Sequence, residues 1–384
     1  MRIAEGILAE YDFRQPFHLW LKDVFRKHPQ FGSKDRKFYK EAFYSYWRLG
    51  NWGKTLSLSQ KLAFGLLRTN PNLEGLTPVV QSYFPNKTGA FSFHDVCNLL
   101  SEEWSPYSHF SHLLSQNFGI AELNNWFGKA APVWLNTWPQ KRDALLLFLN
   151  RQQIPYQEPY PCSFSINSGN VDLAVSQGLC IIQDIGSQQC LQEKDFQNAE
   201  LIWDACCGAG GKSINIVNLA PKATLYISDI RSKMVDNAIE RFNQLHLALP
   251  ISGVNDISSP QSSITFNEKM RIPKPVFDVI VCDVPCSGSG TWRRNPESLT
   301  AFDSYSLEAY AARQQQIVAN AQRFLKNGGK LIYLTCSVFE KENENNVEFF
   351  TRQPNLKPIS SGYSGGAETD GDYLFKAVLE KTIN

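Results

Sequence analysis

The chain reads as an α/β protein, a doubly wound parallel sheet preceded by a helical N-terminal region and a small α+β module. Three observations predict this. Beyond about Asp184, apolar strand-like runs alternate regularly with helical stretches. The segment Leu201–Ser213, LIWDACCGAGGKS, carries one such run through a glycine turn into a helix N-terminus. Residues 1–127 instead repeat apolar side chains near helical spacing, and strand-like alternation is scarce there.

In the N-terminal region Leu19, Leu21 and Phe25, then Phe38, Phe43, Tyr44 and Trp47, mark helix faces, and Gly32-Ser33 reads as a turn and N-cap. Ala130-Ala131-Pro132 reads as a linker. The middle stretch predicts strands at Val133–Leu135, Ser163–Ile166 and Cys180–Gln183 around a helix at Lys141–Gln152. The last part predicts strands at Leu201–Ala205, Thr224–Asp229, Ile251–Asn255, Val276–Asp283 and Lys330–Thr335, with helices at Ser213–Leu219, Ser232–Leu245, Leu307–Leu325 and Asn343–Phe350. The expected domains are residues 1–128, 129–183 and 184–384. In such a sheet ligands sit at the C-terminal strand ends.

A length of 384 residues suits two or three domains. No run of about 18 apolar residues occurs, and MRIAEGILAEYDFR lacks the marks of a secretory signal, so a cytoplasmic protein with no membrane contact is expected. Nine cysteines without a repeated Cys-x-x-Cys spacing argue against a disulfide framework and a zinc ribbon. The net charge of +1 hides an asymmetry, because residues 1–130 carry 15 Lys/Arg against 11 Asp/Glu and the remainder 23 against 26. Lys22–Arg48 alone holds eight basic residues against three acids, with aromatics interleaved. That composition suits phosphate contacts and base stacking, and equally a solvated helix face over a buried aromatic stripe.

Three ligands compete for the glycine turn: a dinucleotide, a nucleoside triphosphate and S-adenosyl-L-methionine. The dinucleotide pattern Gly-x-Gly-x-x-Gly fails at Ser213, and the Walker pattern fails because Cys206 takes the first glycine's place. Acids at successive strand ends weigh between the rest. Asp229 closes the second strand, Asp256 follows the third and Asp283 closes the fourth. One such Asp caps a helix as readily as it binds a ligand. Three facing one glycine loop offer acceptors to ribose, adenine and an ammonium group, suit a sulfonium cation and repel a triphosphate.

Two thiols share that rim. The fourth strand runs into Asp283-Val284-Pro285-Cys286-Ser287-Gly288, and the fifth into Leu334-Thr335-Cys336-Ser337. Cys97, Cys162, Cys180, Cys190 and Cys282 read as small core residues, and Cys206 and Cys207 as small side chains on the loop. No histidine follows His246, so no metal site is expected. A thiolate beside a methyl donor has a specific use. Added to C6 of a pyrimidine, it makes C5 nucleophilic enough to displace a methyl group from sulfonium, and it leaves once the C5 proton is removed.

DACCGAGGKS (204–213), DVPCSGSGTWRRNP (283–296) and LTCSVFEKENENNV (334–347) together resemble the RsmB/Nop2/Sun family of RNA cytosine-5 methyltransferases. The likeness is strong over residues 184–384, including Gln183–Gln188 and Asp370–Phe375. It is looser over residues 1–183, where GSKDRKFYKEAFYSYWR (32–48) looks like the NusB-like helical domain of bacterial small-subunit rRNA members. It implies a class I (Rossmann-like) methyltransferase domain, preceded by an all-α NusB-like RNA-binding domain and a small α+β (RRM-like) module. It further implies Cys336 as nucleophile and Cys286 as the residue that assists release. Cys206, Cys207, Gly208, Ala209, Gly210, Gly211 and Lys212 would wrap the methionine part of the cofactor. Asp229 would take the ribose, Asp256 would sit by the adenine, and Asp283 would lie between cofactor and cytosine. Lys212 and Asp283 would neighbour the target base, and Arg293 and Arg294 would hold RNA phosphates around a flipped-out nucleotide. One departure stands out. The family's Pro-x-Trp/Phe-Leu-Arg-x-Asn is Pro132-Val133-Trp134-Leu135-Asn136-Thr137 here, without the arginine.

The expectation is therefore a monomeric S-adenosylmethionine-dependent RNA cytosine-C5 methyltransferase acting on 16S rRNA. Transfer RNA is the second substrate to consider. A non-catalytic RNA-binding assembly factor and a P-loop NTPase are the readings from other classes.

Overall fold

The computed structural model describes residues 2–85, 91–260, 263–267, 269–352 and 355–382. The chain forms two compact units, one of residues 1–130 with 291–304, the other of residues 131–290 with 305–384. This differs from the three-part sequence division in two ways. The stretch from Ala131 joins the larger unit, and a short piece following the Pro-Cys-Ser motif joins the helical one.

The smaller unit contains α1 (Arg2–Leu8), α2 (Phe17–Lys27), α3 (Ser33–Trp47), α4 (Leu58–Thr69), α5 (Leu76–Tyr83), α6 (Phe93–Leu100) and α7 (Ile120–Gly128). In α2 the buried Phe17, Leu21 and Val24 recur at helical spacing and join Phe43, Trp47 and Phe64 in one apolar core. Gly32, not Ser33, is the N-cap of α3, and its N–H donates to the Asp35 carboxylate at 3.0 Å. Residues 291–304 complete this unit. Trp292 is buried against Tyr107, Phe110 and Phe302.

In the larger unit β1 (Val133–Asn136), α8 (Pro139–Arg151), β2 (Gln157–Tyr160), β3 (Ser163–Ile166), α9 (Asp172–Ser176) and β4 (Ile181–Ile182) come first, with the four strands in order β2-β3-β1-β4. Then follow α10 (Ile185–Gln189), β5 (Leu201–Asp204), α11 (Gly211–Leu219), β6 (Thr224–Asp229), α12 (Ser232–Gln244), β7 (Ile251–Val254), the hairpin β8 (Ile264–Phe266) and β9 (Met270–Ile272), and β10 (Phe277–Asp283). After α13 (Glu297–Ala301), which belongs to the helical unit, come α14 (Ser306–Ala321), β11 (Leu325–Thr335), α15 (Glu344–Thr351), β12 (Leu356–Gly365) and β13 (Tyr373–Lys381).

The main sheet has the order β12-β13-β11-β10-β5-β6-β7. The pairs β11–β10, β10–β5, β5–β6 and β6–β7 are parallel, whereas β13 pairs antiparallel with β11 and with β12. The predicted strands and helices of this region all form. The closing hairpin β12–β13 was not foreseen, because β12 is exposed over much of its length and shows no apolar alternation. Both sheet faces are packed. Trp203, Tyr226, Phe266 and Phe277 form one side, and Val235, Ala238 and Phe242 of α12 cover Ile202 and Ile227 on the other.

The flanking segments of the family resemblance prove structural. Asp184 caps α10 by accepting from Gly186 N–H at 2.8 Å and also takes the Asp372 N–H at 2.9 Å, which ties residues 183–188 to the start of β13. Asn136 donates to Gln183 at 2.8 Å and to Asn215 at 2.9 Å, joining β1 to the same segment and to α11. No helix of the described residues is long and apolar enough to cross a membrane.

Candidate active site

The C-terminal ends of β5, β6, β10 and β11 gather the chemistry. After β5 the loop turns at Gly208 and Gly210, whose φ values are +51° and +79°. A Cβ on Gly210 would lie 2.8 Å from Ala238 of α12, so only glycine lets helix and loop approach. A Cβ on Gly208 would meet nothing within 4 Å, which leaves open space beside the loop. Cys206 and Cys207 explain their small size by position. One packs against the core on the first sheet face and the other is buried in the core of the second. Burial pushes both thiols up, so neither is a nucleophile at neutral pH.

Asp229 is a brace for this loop. Its carboxylate accepts from Gly208 N–H at 3.1 Å, from Arg231 N–H at 2.9 Å and from Arg231 Nε at 3.0 Å. Asp256 accepts from the Ser258 N–H and hydroxyl and from the Ser259 hydroxyl. The Ser258 bonds are the main cause of a carboxyl held below the usual range. Asp204 at the end of β5 is fully buried. It takes the Ser213 hydroxyl at 2.6 Å on one oxygen, while its other oxygen has no hydrogen-bond partner among the described residues. Burial pushes its carboxyl up to about 7.

Lys212, on the first turn of α11, meets the Asp283 carboxylate at 2.7 Å. Burial opposes the lysine charge, but Asp283 outweighs it and the ammonium is held above its ordinary pKa. Beyond Asp283 the chain turns through Pro285, and Cys286 Sγ lies 3.3 Å from Cys336 Sγ at the end of β11. The parallel pairing Asp283↔Leu334 sets this meeting, since it places both cysteines a few residues past matched positions on adjacent strands. The sulfur of Cys336, then burial, raises the Cys286 thiol well above its usual range. A group held as a thiol can donate a hydrogen bond to the sulfur beside it.

The structure corrects three sequence readings. Arg293 does not face outward. It is buried in the helical unit with its guanidinium on the carbonyls of Lys129 (3.2 Å) and Ala130 (2.7 Å), so it cannot reach RNA phosphates without unmaking that core. Arg48 of the basic stretch is buried too, bonded to the Arg293 carbonyl at 2.9 Å. Cys162 is not core but sits half-buried in the β2–β3 turn with φ +62°. Arg294 is exposed, as are Lys22, Arg26, Lys27, Lys34, Arg36, Lys37 and Lys40. Lys22, Phe25, Arg26, Arg36, Lys40 and Tyr44 line a groove of about 590 Å³ on the helical unit.

Residues 191–370 match the family described as 16S rRNA methyltransferase RsmB/F. Over that stretch the chain is similar to the RsmB/F family. Ribosomal RNA small subunit methyltransferase B of Pectobacterium atrosepticum is 28% identical over 281 residues, covering 67% of this chain. Its Yersinia pseudotuberculosis counterpart is 28% identical over 278 residues, covering 68% of this chain. The matched stretch spans 62% of either relative's length. Among solved structures, PH0851 superposes with a TM-score of 0.72 at 18% identity, covering 99% of this chain and 97% of that one. NSun6 from Pyrococcus horikoshii with SFG gives 0.61 at 14%, covering 73% and 99%. These two show the shared fold.

The cofactor that goes with an RsmB/F methyltransferase is S-adenosyl-L-methionine, and the residues present fit it. The loop leaves open space at Gly208, Asp204 keeps an unpartnered buried oxygen, and the wall is built of carboxylates. Among the described residues no group of His, Cys, Asp and Glu could hold a metal ion.

Sequence reasoning missed Arg231, Ser213 and above all Glu342. Glu342 is fully buried behind the two thiols, yet its neighbours in the sequence are Glu340, Lys341 and Glu344, a string that reads as solvent-facing. Its only mark is that it lies inside the segment LTCSVFEKENENNV.

Proposed function

We propose that this chain methylates C5 of a cytosine in RNA, with 16S rRNA the preferred substrate, through a covalent bond between Cys336 and C6. The observation that carries the proposal is the 3.3 Å approach of the Cys286 and Cys336 sulfurs beside the Lys212–Asp283 pair, at the strand ends that also hold the glycine loop. One thiol suffices for attack, and the second gives that attack a way to be undone.

The loop from Cys206 to Lys212 would hold the methionine part of S-adenosylmethionine, Asp229 the ribose and Asp256 the adenine side. The bound cofactor supplies an electrophilic methyl group on a sulfonium. The Cys336 thiolate adds to C6 and the C5–C6 π pair moves to C5, which takes the methyl group. Loss of the C5 proton to a base returns that pair to the ring and expels the Cys336 thiolate. Cys286, held as a thiol, donates to the departing sulfur. Asp283, held in place by Lys212, accepts from the cytosine amino group and orients the ring. The cytosine must leave its stack to reach both groups. On the helical unit, the exposed cations and half-buried aromatics of the α2–α3 groove suit phosphate contacts and base stacking, and Arg294 adds one more exposed cation.

Bisulfite sequencing of total RNA from cells with and without the protein tests the function. The expected result is one 16S rRNA cytosine that becomes convertible when the protein is absent. A change confined to tRNA would move the substrate, and no change in either would favour a non-catalytic assembly factor. For the cofactor, Asp229→Ala removes a loop brace and an acceptor together. Its expected cost in S-adenosylmethionine affinity is about 1–3 kcal/mol, read by calorimetry, and unchanged affinity would take Asp229 out of the site.

A further inference from the structure

The two cysteines sit on separate loops, and some force must keep their sulfurs in register. The Glu342 carboxylate stands between these loops. One oxygen accepts from the Ser287 N–H at 2.8 Å and from Gln314 Nε2 at 2.9 Å; the other accepts from the Ser287 hydroxyl and, at 2.6 Å, from the Ser337 hydroxyl. Ser287 follows Cys286 and Ser337 follows Cys336, so one carboxylate grips the residue next to each thiol. Gln314 extends the grip to the cysteine loop itself, donating to the Pro285 carbonyl at 2.9 Å. Behind it Tyr333 donates to Gln314 Oε1 at 2.9 Å and Asn346 donates to the same oxygen at 2.7 Å.

We infer that Glu342 is a positioning residue that holds the Cys286 and Cys336 loops together and so sets the distance between the two thiols. A fully buried carboxylate is an expensive choice for a mere filler, and four donors converge on it from two loops and a helix. Two serine hydroxyls bonded only to each other would rotate freely; bonded to one acid they are fixed, because an ionised carboxylate can only accept. Burial raises the Glu342 carboxyl against these four bonds, which is the expected tension of a charge kept inside for geometry. The inference rests on the methyl-transfer reading only for what the thiols are used for, not for their alignment.

The test therefore reads alignment and turnover separately. Diamide takes two hydrogens from a pair of thiols to give a disulfide and a hydrazine, at a rate that depends on how close the thiols are. With the purified full chain, peptide mass mapping should show Cys286–Cys336 as the first disulfide formed. Glu342→Ala should slow that coupling at least about tenfold, and should lower kcat at least as much while KM for S-adenosylmethionine stays within about threefold. Glu342→Gln, which keeps the shape and one acceptor, should recover most of both. If Glu342→Ala does not fold, the Ser287→Ala/Ser337→Ala pair, which leaves the acid bonded to Gln314 and the Ser287 N–H, should show the same slowing. Coupling at the wild-type rate in the folded variants, or absence of coupling in the wild type, overturns the inference. Should no methyl transfer be found at all, the coupling rates still decide it.

Discussion

Cys336→Ala is expected to lower methyl transfer by at least about 10⁴-fold, because a nucleophile has no substitute in the step it performs. S-adenosylmethionine binding should survive, since the Cys206–Lys212 loop and Asp229 are untouched. Cys286→Ala should behave differently. With its thiol held protonated 3.3 Å from the other sulfur, Cys286 is placed to hydrogen-bond the Cys336 sulfur in the adduct and ease its departure. Without that donor, elimination should slow by about 10²-fold or more, while addition still proceeds. The adduct then accumulates, and RNA and protein should migrate together on a denaturing gel. Accumulation on replacing Cys336 instead would exchange the two roles. Normal turnover by Cys336→Ala would remove the covalent route from this protein.

The pairing of these thiols was legible in the sequence because it depends on local and regular things. Two apolar strands each end in a turn carrying cysteine, and parallel strands in one sheet present their ends at one rim. The same logic exposed Asp229 and Asp283. What could not be read depends on side chains that meet across long sequence separation. Arg293 follows Trp292 in a stretch that looks like a basic loop, yet Trp292 is buried in the helical core and carries Arg293 inside with it. Glu342 is 55 residues from Ser287, and nothing in a run of Glu and Asn says which acid turns inward. The hairpin β12–β13 escaped for a different reason. β12 is an edge strand, much of it exposed on both faces, so it lacks the apolar alternation by which strands are recognised.

Asp283→Asn should lower kcat by about 10²–10³-fold, the usual cost of removing one polar group aimed at a reacting base. The geometry makes the effect more than the loss of one acceptor. Asp283 and Lys212 are 2.7 Å apart, and the carboxylate holds the half-buried ammonium above its ordinary pKa. Neutralising the acid removes the largest support of the lysine's charge, and burial, which pushes an ammonium pKa down, then weighs more. The variant should therefore lose its remaining activity at lower pH than the wild type does on the alkaline side, as Lys212 deprotonates. Lys212→Met strips the acid of its partner and should cost about as much. Since the two act as one pair, the double variant should be no slower than the worse single one. Single-turnover rates across pH, with cofactor affinity measured in parallel, check all three statements. Losses that multiply in the double variant would mean that the two residues work on the cytosine separately, and the ion pair would then be a consequence of proximity, not the device that aims Asp283.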